Sequence, residues 1–406
     1  VQTSAASDMT ESGSRFSFFK RDGTRLKVAL VANEFFELGY SRMGGFGWAA
    51  RQLARCFGAD PGLGVDLVLV DAASRQAEAR LEGRLHGCPI LVARDTPLGF
   101  ARRVWQERFD LVICIDYRRD YRRLVRLLPR TPLLVWVRDP RTPEDCARIL
   151  GVRLPGAPDV VPSGLKSASA TSLARVWRWS RLFGRRIVFG TPSPPLQDKV
   201  PGAYGVEGAQ VDLLPNIIDL EPGVVTKSAR PSVVFLARLD AYKRPWLFVE
   251  LARGRPDVDF LLLGQPHFGD ASNWQTDGLP PNVRWLGHVD GAEKLRLLRE
   301  AWVLVNTSIH EGLAVSFLEA LKCETPLLSC IDTEGVASRF GCYVGWEAGH
   351  GLGLVPAFSR ELGALLDEQP RREALGRAGR EWVSRVHTRE GFLGAFRQLC
   401  AKAGAL

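Results

Sequence analysis

No run of about 18 apolar residues occurs in the chain, so no segment reads as a membrane-spanning helix. Residues 1–25 also lack the apolar stretch of a signal peptide. They are small and polar and read as a disordered tail, and the start on Val1 suggests a processed or trimmed chain. None of the eight cysteines (Cys56, Cys88, Cys114, Cys146, Cys323, Cys330, Cys342 and Cys400) stands in C-x-x-C spacing. That argues against a zinc site or a disulfide frame. It leads to the expectation of reduced thiols in a cytoplasmic protein. No nucleic-acid recognition module is legible, so nucleic acid is not expected as a partner.

What is present is a chain of 406 residues, too long for one ordinary core, with two domains as the natural expectation. Its 46% hydrophobic and 24% charged residues are the mix of a soluble globular enzyme. The net charge of +9 is unevenly spread. The basic excess sits mainly in residues 101–200, while the second half is slightly acidic. A basic face of this kind attracts anionic lipid, nucleic acid or a phosphorylated substrate.

Continuous apolar runs alternate with helical patterns from Leu26 onward. In the first half they are KVALVAN (27–33), VDLVLVD (65–71), PILVAR (89–94), DLVICID (110–116) and PLLVWVRD (132–139). In the second half they are SVVFLAR (232–238), DFLLLG (259–264), VRWLG (283–287), WVLVN (302–306) and PLLS (326–329). Such runs suit strands buried on both faces of a parallel sheet, and the helices between them give βαβ units. The expected class is α/β, with two doubly wound Rossmann-like domains facing a central cleft. The expected boundaries are 26–218 for the first domain, 219–231 for a turn-rich hinge and 232–385 for the second. A terminal helix over 386–406 is expected to pack back on the first domain. Ligands in such folds bind at the carboxyl ends of the strands.

Three stretches carry chemistry. In NTSIHEGLAVSFLEALKCETPLLS (306–329), a loop with Glu311 leads into a helix near Ser316 that carries Glu319. Each carboxylate offers acceptor oxygens to vicinal hydroxyls, and the helix start offers N–H groups to a diphosphate. The same letters make a capping box, Ser316-x-x-Glu319, in which Glu319 only serves the helix start. After SVVFLAR, Arg238 and Lys243 stand at a strand's carboxyl end, where fixed cations hold phosphates, or else form a solvated turn. In the first half, Gly44, Gly45 and Gly47 precede an amphipathic helix, Trp48 to Phe57, and permit close backbone approach to a ligand. Gly45-x-Gly47-x-x-Ala50 with Asp71 also mimics a dinucleotide fingerprint, but the loop between Asn33 and Gly44 is too long for one.

Together these residues resemble the retaining glycosyltransferases of family four (glycosyl transferases group 1), across about residues 212–390. LPNIIDLEP (214–222), with Asn216 and Asp219, resembles the segment leading out of their first domain. LARLDAYKRP and the Glu311…Glu319 stretch follow their order and spacing. The resemblance implies the two-domain architecture called GT-B and a nucleoside-diphosphate sugar donor. It implies no cofactor and no metal, with retention at the anomeric carbon. Carried over residue by residue, Arg238 and Lys243 contact phosphate, Glu311 faces the donor sugar and Glu319 the ribose. The backbone of Gly312, Leu313, Ala314 and Val315 lines diphosphate and sugar. The backbone near His288 and Val289 meets the base, and Gly44 and Gly45 close on the donor.

Two departures stand out. Lys322-Cys323-Glu324-Thr325-Pro326 has Glu324 where the family often has Gly. Val137-Arg138-Asp139-Pro140-Arg141 replaces a common His-Asp or His-Gly near the reacting sugar. Asp139 keeps a position without an assigned role, and Arg138 either binds an anionic acceptor or pairs with an acid. The acceptor is a saccharide, a lipid-linked molecule or a small molecule. A nucleotide-sugar epimerase and a non-catalytic subunit of the same fold are the rival readings.

The basic residues fall in two segments. Over 117–130, Tyr121, Leu124, Val125 and Leu128 share one helical face, with Arg118, Arg119, Arg122, Arg126 and Arg130 largely elsewhere. Over 172–186, Arg175, Arg178 and Arg181 accompany Trp177 and Trp179. Such segments dock peripherally on an anionic membrane, here at its cytoplasmic inner face, or are ordinary amphipathic helices with solvated arginines.

Overall fold

A computed structural model describes residues 16–32, 34, 44–71, 83–92, 97–156, 159, 172–266 and 278–406. Residues 1–15 of the expected tail, together with Asn33 and Met43, lie outside the described residues.

Two sheets are formed. The first contains β1 (Leu26–Ala32), β2 (Val65–Asp71), β3 (Arg84–Leu85), β4 (Cys88–Val92), β5 (Leu111–Ile115), β6 (Leu133–Trp136), β7 (Ile187–Thr191) and β8 (Val211–Leu213). Their order is β3-β4-β2-β1-β5-β6-β7-β8, and every pairing is parallel except the β3–β4 hairpin. The second contains β9 (Ser232–Leu236), β10 (Asp259–Leu263), β11 (Val283–Gly287), β12 (Val303–Asn306), β13 (Leu327–Ser329) and β14 (Gly341–Tyr343), in the order β11-β10-β9-β12-β13-β14, all parallel. All ten apolar runs picked out above contain a strand. Each sheet is wound outward in both directions, and the winding reverses between β1 and β5 and between β9 and β12. Those reversals leave crevices at the carboxyl ends of the strands, where the ligand site of such a fold lies.

Residues 214–231 cross from one sheet to the other without helix or strand. The chain then returns. The helix Arg389–Ala403, capped by the Thr388 hydroxyl, lays Phe392, Phe396 and Leu399 on the first sheet's face. The Phe392 ring centroid is 5.5 Å from that of Trp136. Phe396 stands 5.4 Å from both Phe18 and Phe57. Phe18, placed by its composition in the expected tail, is therefore fully buried. One aromatic residue in a polar segment supplies enough apolar area to fix it. Residues 16–25 are part of the fold, which corrects the tail expected over 1–25.

The first basic segment folds with its apolar face packed inward, whereas the second, in the helix Ala174–Leu182, leaves Trp179 and Leu182 exposed. Tyr121, Leu124, Val125 and Leu128 are buried, and Arg118, Arg119, Arg122, Arg126 and Arg130 are exposed. All eight cysteines are buried, and none is in a disulfide. No helix among the described residues is long and apolar enough to cross a membrane.

Candidate active site

The carboxyl ends of both sheets face one cavity of about 250 Å³. Of the candidates named from the sequence, Arg238, Lys243, Glu311, Gly312, Leu313, Ala314, Val315, Glu319, His288 and Val289 line it from the second domain, and Gly44, Gly45, Arg138 and Asp139 from the first, whereas Gly47 does not.

Lys243 lies in the short turn after β9, and its Nζ is 2.5 Å from Glu311 Oε1 in the loop after β12. The same oxygen accepts from Ser308 Oγ at 2.6 Å and from Asn306 Nδ2 at 3.4 Å. Burial works against both charges, but their mutual attraction outweighs it, so the Lys243 pKa is raised and that of Glu311 lowered. Arg238 pairs with Asp240 at 3.2 Å and donates to the Tyr242 hydroxyl. Burial opposes its charge as well. Tyr242 and Asp240 outweigh that and hold its pKa above the ordinary guanidinium value. Two fixed cations and a carboxylate thus share one wall, and their hydrogen bonds to the protein hold them in place.

Glu319 does not serve the start of its helix. The helix Val315–Leu321 has Ala314 as N-cap and no side-chain cap. Glu319 instead reaches Lys294 Nζ at 2.8 Å, so the capping-box alternative is not realised. Lys294 also contacts Asp290 at 3.1 Å, and Asp290 takes both guanidinium nitrogens of the buried Arg51 on the first-domain helix Gly45–Gly58. This chain of charges runs from one domain to the other. Burial would raise the Asp290 pKa, but Arg51 and Lys294 hold it below the usual carboxylate range.

A second bridge crosses beside Glu311. His310 Nε2 lies 2.8 Å from Asp139 Oδ1, and His310 Nδ1 lies 3.5 Å from Asp145 Oδ1. Asp145 closes a capping box with Thr142 and also pairs with Lys199. Burial would keep His310 neutral, yet the two carboxylates raise its pKa to about 9. Asp139 is held well below the usual range despite burial, by Arg141 and His310. Next in sequence, Gly312 comes so close to the first domain that a Cβ there would lie 2.0 Å from the Arg138 carbonyl oxygen. Only glycine fits that approach.

Arg138 makes no side-chain ion pair among the described residues; burial lowers its pKa to about 10 against the attraction of Asp116, which accepts its backbone N–H at 2.9 Å. Its Nη1 donates to Asn216 Oδ1 at 2.5 Å, and its guanidinium lies 4.7 Å from the Trp136 ring centroid. Asn216, in the segment leading out of the first domain, also donates its backbone N–H to His387 Nδ1 at 3.2 Å. Burial lowers the His387 pKa to about 3, helped by Arg138, so the ring stays a neutral acceptor.

Sequence reasoning missed His310, Lys294, Tyr242, Arg141 and Glu34, all of which line the cavity. Adjacency to Glu311 was a signal for His310, as was the i,i+4 spacing from Asp290 for Lys294. Glu34 had no such signal. Among the described residues no group of three or more His, Cys, Asp or Glu side chains is arranged to hold a metal ion.

Two doubly wound domains that share a cleft, with paired cations and carboxylates at the strand ends, define a glycosyltransferase of the GT-B architecture. Residues 220–382 match the family model of glycosyl transferases group 1. The whole chain shares its fold with the sucrose-phosphate synthase of Thermosynechococcus elongatus, at 17% identity and a TM-score of 0.69 over 94% of this chain and 100% of that one. HepE of Anabaena, solved with UDP-glucose, matches at 14% identity and a TM-score of 0.63, over 94% and 100%. The pneumococcal O-GlcNAc transferase GtfA, solved with UDP and GlcNAc, matches at 11% identity and a TM-score of 0.64, over 93% and 99%. No curated protein sequence matches the chain significantly.

Proposed function

We propose that the protein moves a sugar from a nucleoside-diphosphate sugar to an acceptor hydroxyl, with retention at the anomeric carbon and without a metal ion. The observation that carries this reading is the Lys243–Glu311 pair beside Arg238 at the cleft wall. The three hydrogen bonds to Glu311 end on Oε1, and among the described residues Oε2 accepts none. Oε2 therefore serves the donor sugar's hydroxyls, while Lys243 and Arg238 neutralise the departing diphosphate. Glu319 takes the ribose hydroxyls, and the backbone of Leu313 to Val315 lines diphosphate and sugar. His288 and Val289 bound the base, and Gly44 and Gly45 close from the other domain. The acceptor oxygen attacks the anomeric carbon on the face from which the diphosphate leaves, and its proton passes to a diphosphate oxygen. HepE and GtfA, similar in fold, were solved with UDP-glucose and with UDP and GlcNAc, so UDP-sugars are the first donors to test. Proton NMR of the first product formed from an α-linked donor tests retention: an α-linked product is expected, and a β-linked one contradicts it.

The first domain, on this reading, docks at the cytoplasmic inner face of an anionic membrane. The helix Ala174–Leu182 and the residue after it leave Trp179, Leu182 and Phe183 at 55%, 76% and 51% exposure, beside exposed Arg175, Arg178 and Arg181. Apolar side chains that insert and arginines that meet headgroups make this face complementary to such a surface. Flotation should show the protein on phosphatidylglycerol vesicles at low salt and free at about 0.5 M salt, where the Debye length falls to roughly 4 Å. Equal behaviour with phosphatidylcholine contradicts the docking.

A further inference from the structure

Most cations lining the cleft have a carboxylate partner. Arg238 has Asp240, Lys243 has Glu311, Lys294 has Glu319, and Arg141 and His310 share Asp139. Among the described residues Arg118 and Arg138 make no side-chain ion pair, although the buried Asp116 accepts the Arg138 backbone N–H at 2.9 Å and attracts its charge; both arginines belong to the first domain. They follow the adjacent strands β5 and β6, and both line the cleft.

Arg138 is 5% exposed. A buried guanidinium is ordinarily matched by a carboxylate, because removing an unpaired charge from water is strongly unfavourable. Here one nitrogen is met by the neutral amide of Asn216, and the face by Trp136. Nε and Nη2 have no acceptor among the described residues. Arg118 stands exposed at the cavity wall, its guanidinium 4.9 Å from the Phe46 ring centroid. Arg138 lies 5.8 Å from Trp48 in the same helical turn. The two arginines thus lie against the first turn of the helix Gly45–Gly58, where Glu34 Oε2 accepts the Gly47 N–H at 3.2 Å. Planar guanidinium groups bind phosphate or carboxylate oxygens in pairs.

We infer that Arg118 and Arg138 form an acceptor subsite for an oxyanion, so that the acceptor carries a phosphate or carboxylate group near the hydroxyl that receives the sugar. This rests on the glycosyl-transfer reading of the same cleft, in which the second domain's Arg238 and Lys243 hold the donor diphosphate. The anion comes from a soluble saccharide or from a lipid headgroup. The exposed Arg119, Arg122, Arg123, Arg126 and Arg130 continue the basic surface outward from Arg118.

The test is calorimetric titration of the full chain saturated with whichever of UDP, GDP, ADP or TDP it binds. The probes are glucose, glucose 6-phosphate and glucuronate, together with vesicles of phosphatidylinositol or of phosphatidylcholine. At least one anionic probe should bind tenfold or more tightly than its neutral counterpart, and R118Q should remove at least fivefold of that preference. R138K should keep more of it than R138Q, with circular dichroism checking that both fold. Preference for glucose 6-phosphate or glucuronate identifies a soluble acceptor. Preference for phosphatidylinositol vesicles alone identifies a headgroup. A protein that binds a nucleotide and shows no tenfold anion preference overturns the inference alone, as does a preference that survives in both R118Q and R138Q. A protein that binds none of the nucleotides overturns the donor reading beneath it.

Discussion

Asp139 Oδ1 of the first domain lies 2.8 Å from His310 Nε2 of the second, one residue from the glutamate that faces the cleft. Asp139 and His310 are 171 positions apart in sequence, and their contact joins the loop after β6 to the loop after β12. His310 also faces Asp145, while Arg141 and Lys199 balance the two carboxylates. The imidazolium is therefore a strut that holds the donor-side loop against the first domain.

That strut has a pH signature. With the folded pKa of His310 raised to about 9, its contribution to stability is fully present below about 6.5, the ordinary histidine value. It is lost as pH rises through about 9. H310Q should melt below the native protein at pH 6, by up to roughly 3 kcal/mol in unfolding free energy, and the gap should shrink by pH 9.5. Denaturant titrations at the two pH values measure it. A gap that stays constant contradicts the strut.

Phe396 is fully buried between Phe18, Phe57 and Phe392. F396A opens a cavity where the terminal helix meets the first domain, and should cost about 3–5 kcal/mol. Chemical denaturation checks the magnitude. A loss under about 1 kcal/mol would mean that the returning helix does not hold this domain.

Glu324 occupies a left-handed backbone conformation, with φ at +53°. The family often has glycine there, and the structure gives the reason: a side chain at this φ costs about 1 kcal/mol. Its ion pair with Arg380, at 3.8 Å, returns little. E324G should be neutral or stabilising by up to about 1 kcal/mol. A clear destabilisation in urea titration contradicts that assignment of strain.

The strands were legible where apolar runs were long and continuous. β3, β7, β8 and β14 were not singled out, because each is short or interrupted. Gly190 breaks the run IVFGT, and the packing explains it: a Cβ there would stand 2.8 Å from Leu214 and 3.1 Å from Leu399 of the returning helix. Within the site, Arg238, Lys243, Glu311 and Glu319 stood out because their chemistry repeats in local patterns. Their partners did not, since pairs such as Glu319–Lys294 and Asp139–His310 are made by tertiary folding. Arg138 shows the limit most clearly. Sequence left an acid partner and an anionic ligand equally open, because its neighbours Trp136, Trp48 and Asn216 are assembled around it only by tertiary packing.

The measurement that bears most directly on the central claim is nucleoside-diphosphate release from UDP-, GDP-, ADP- and TDP-sugars, by the native protein and by E311Q and K243A, in the presence of an acceptor panel. One donor should be turned over, and each substitution should reduce release by at least about 100-fold, as expected when a group aligned with the reacting sugar or the leaving group is removed. Circular dichroism should show both variants folded. Release that persists at the native rate in either variant would contradict the account.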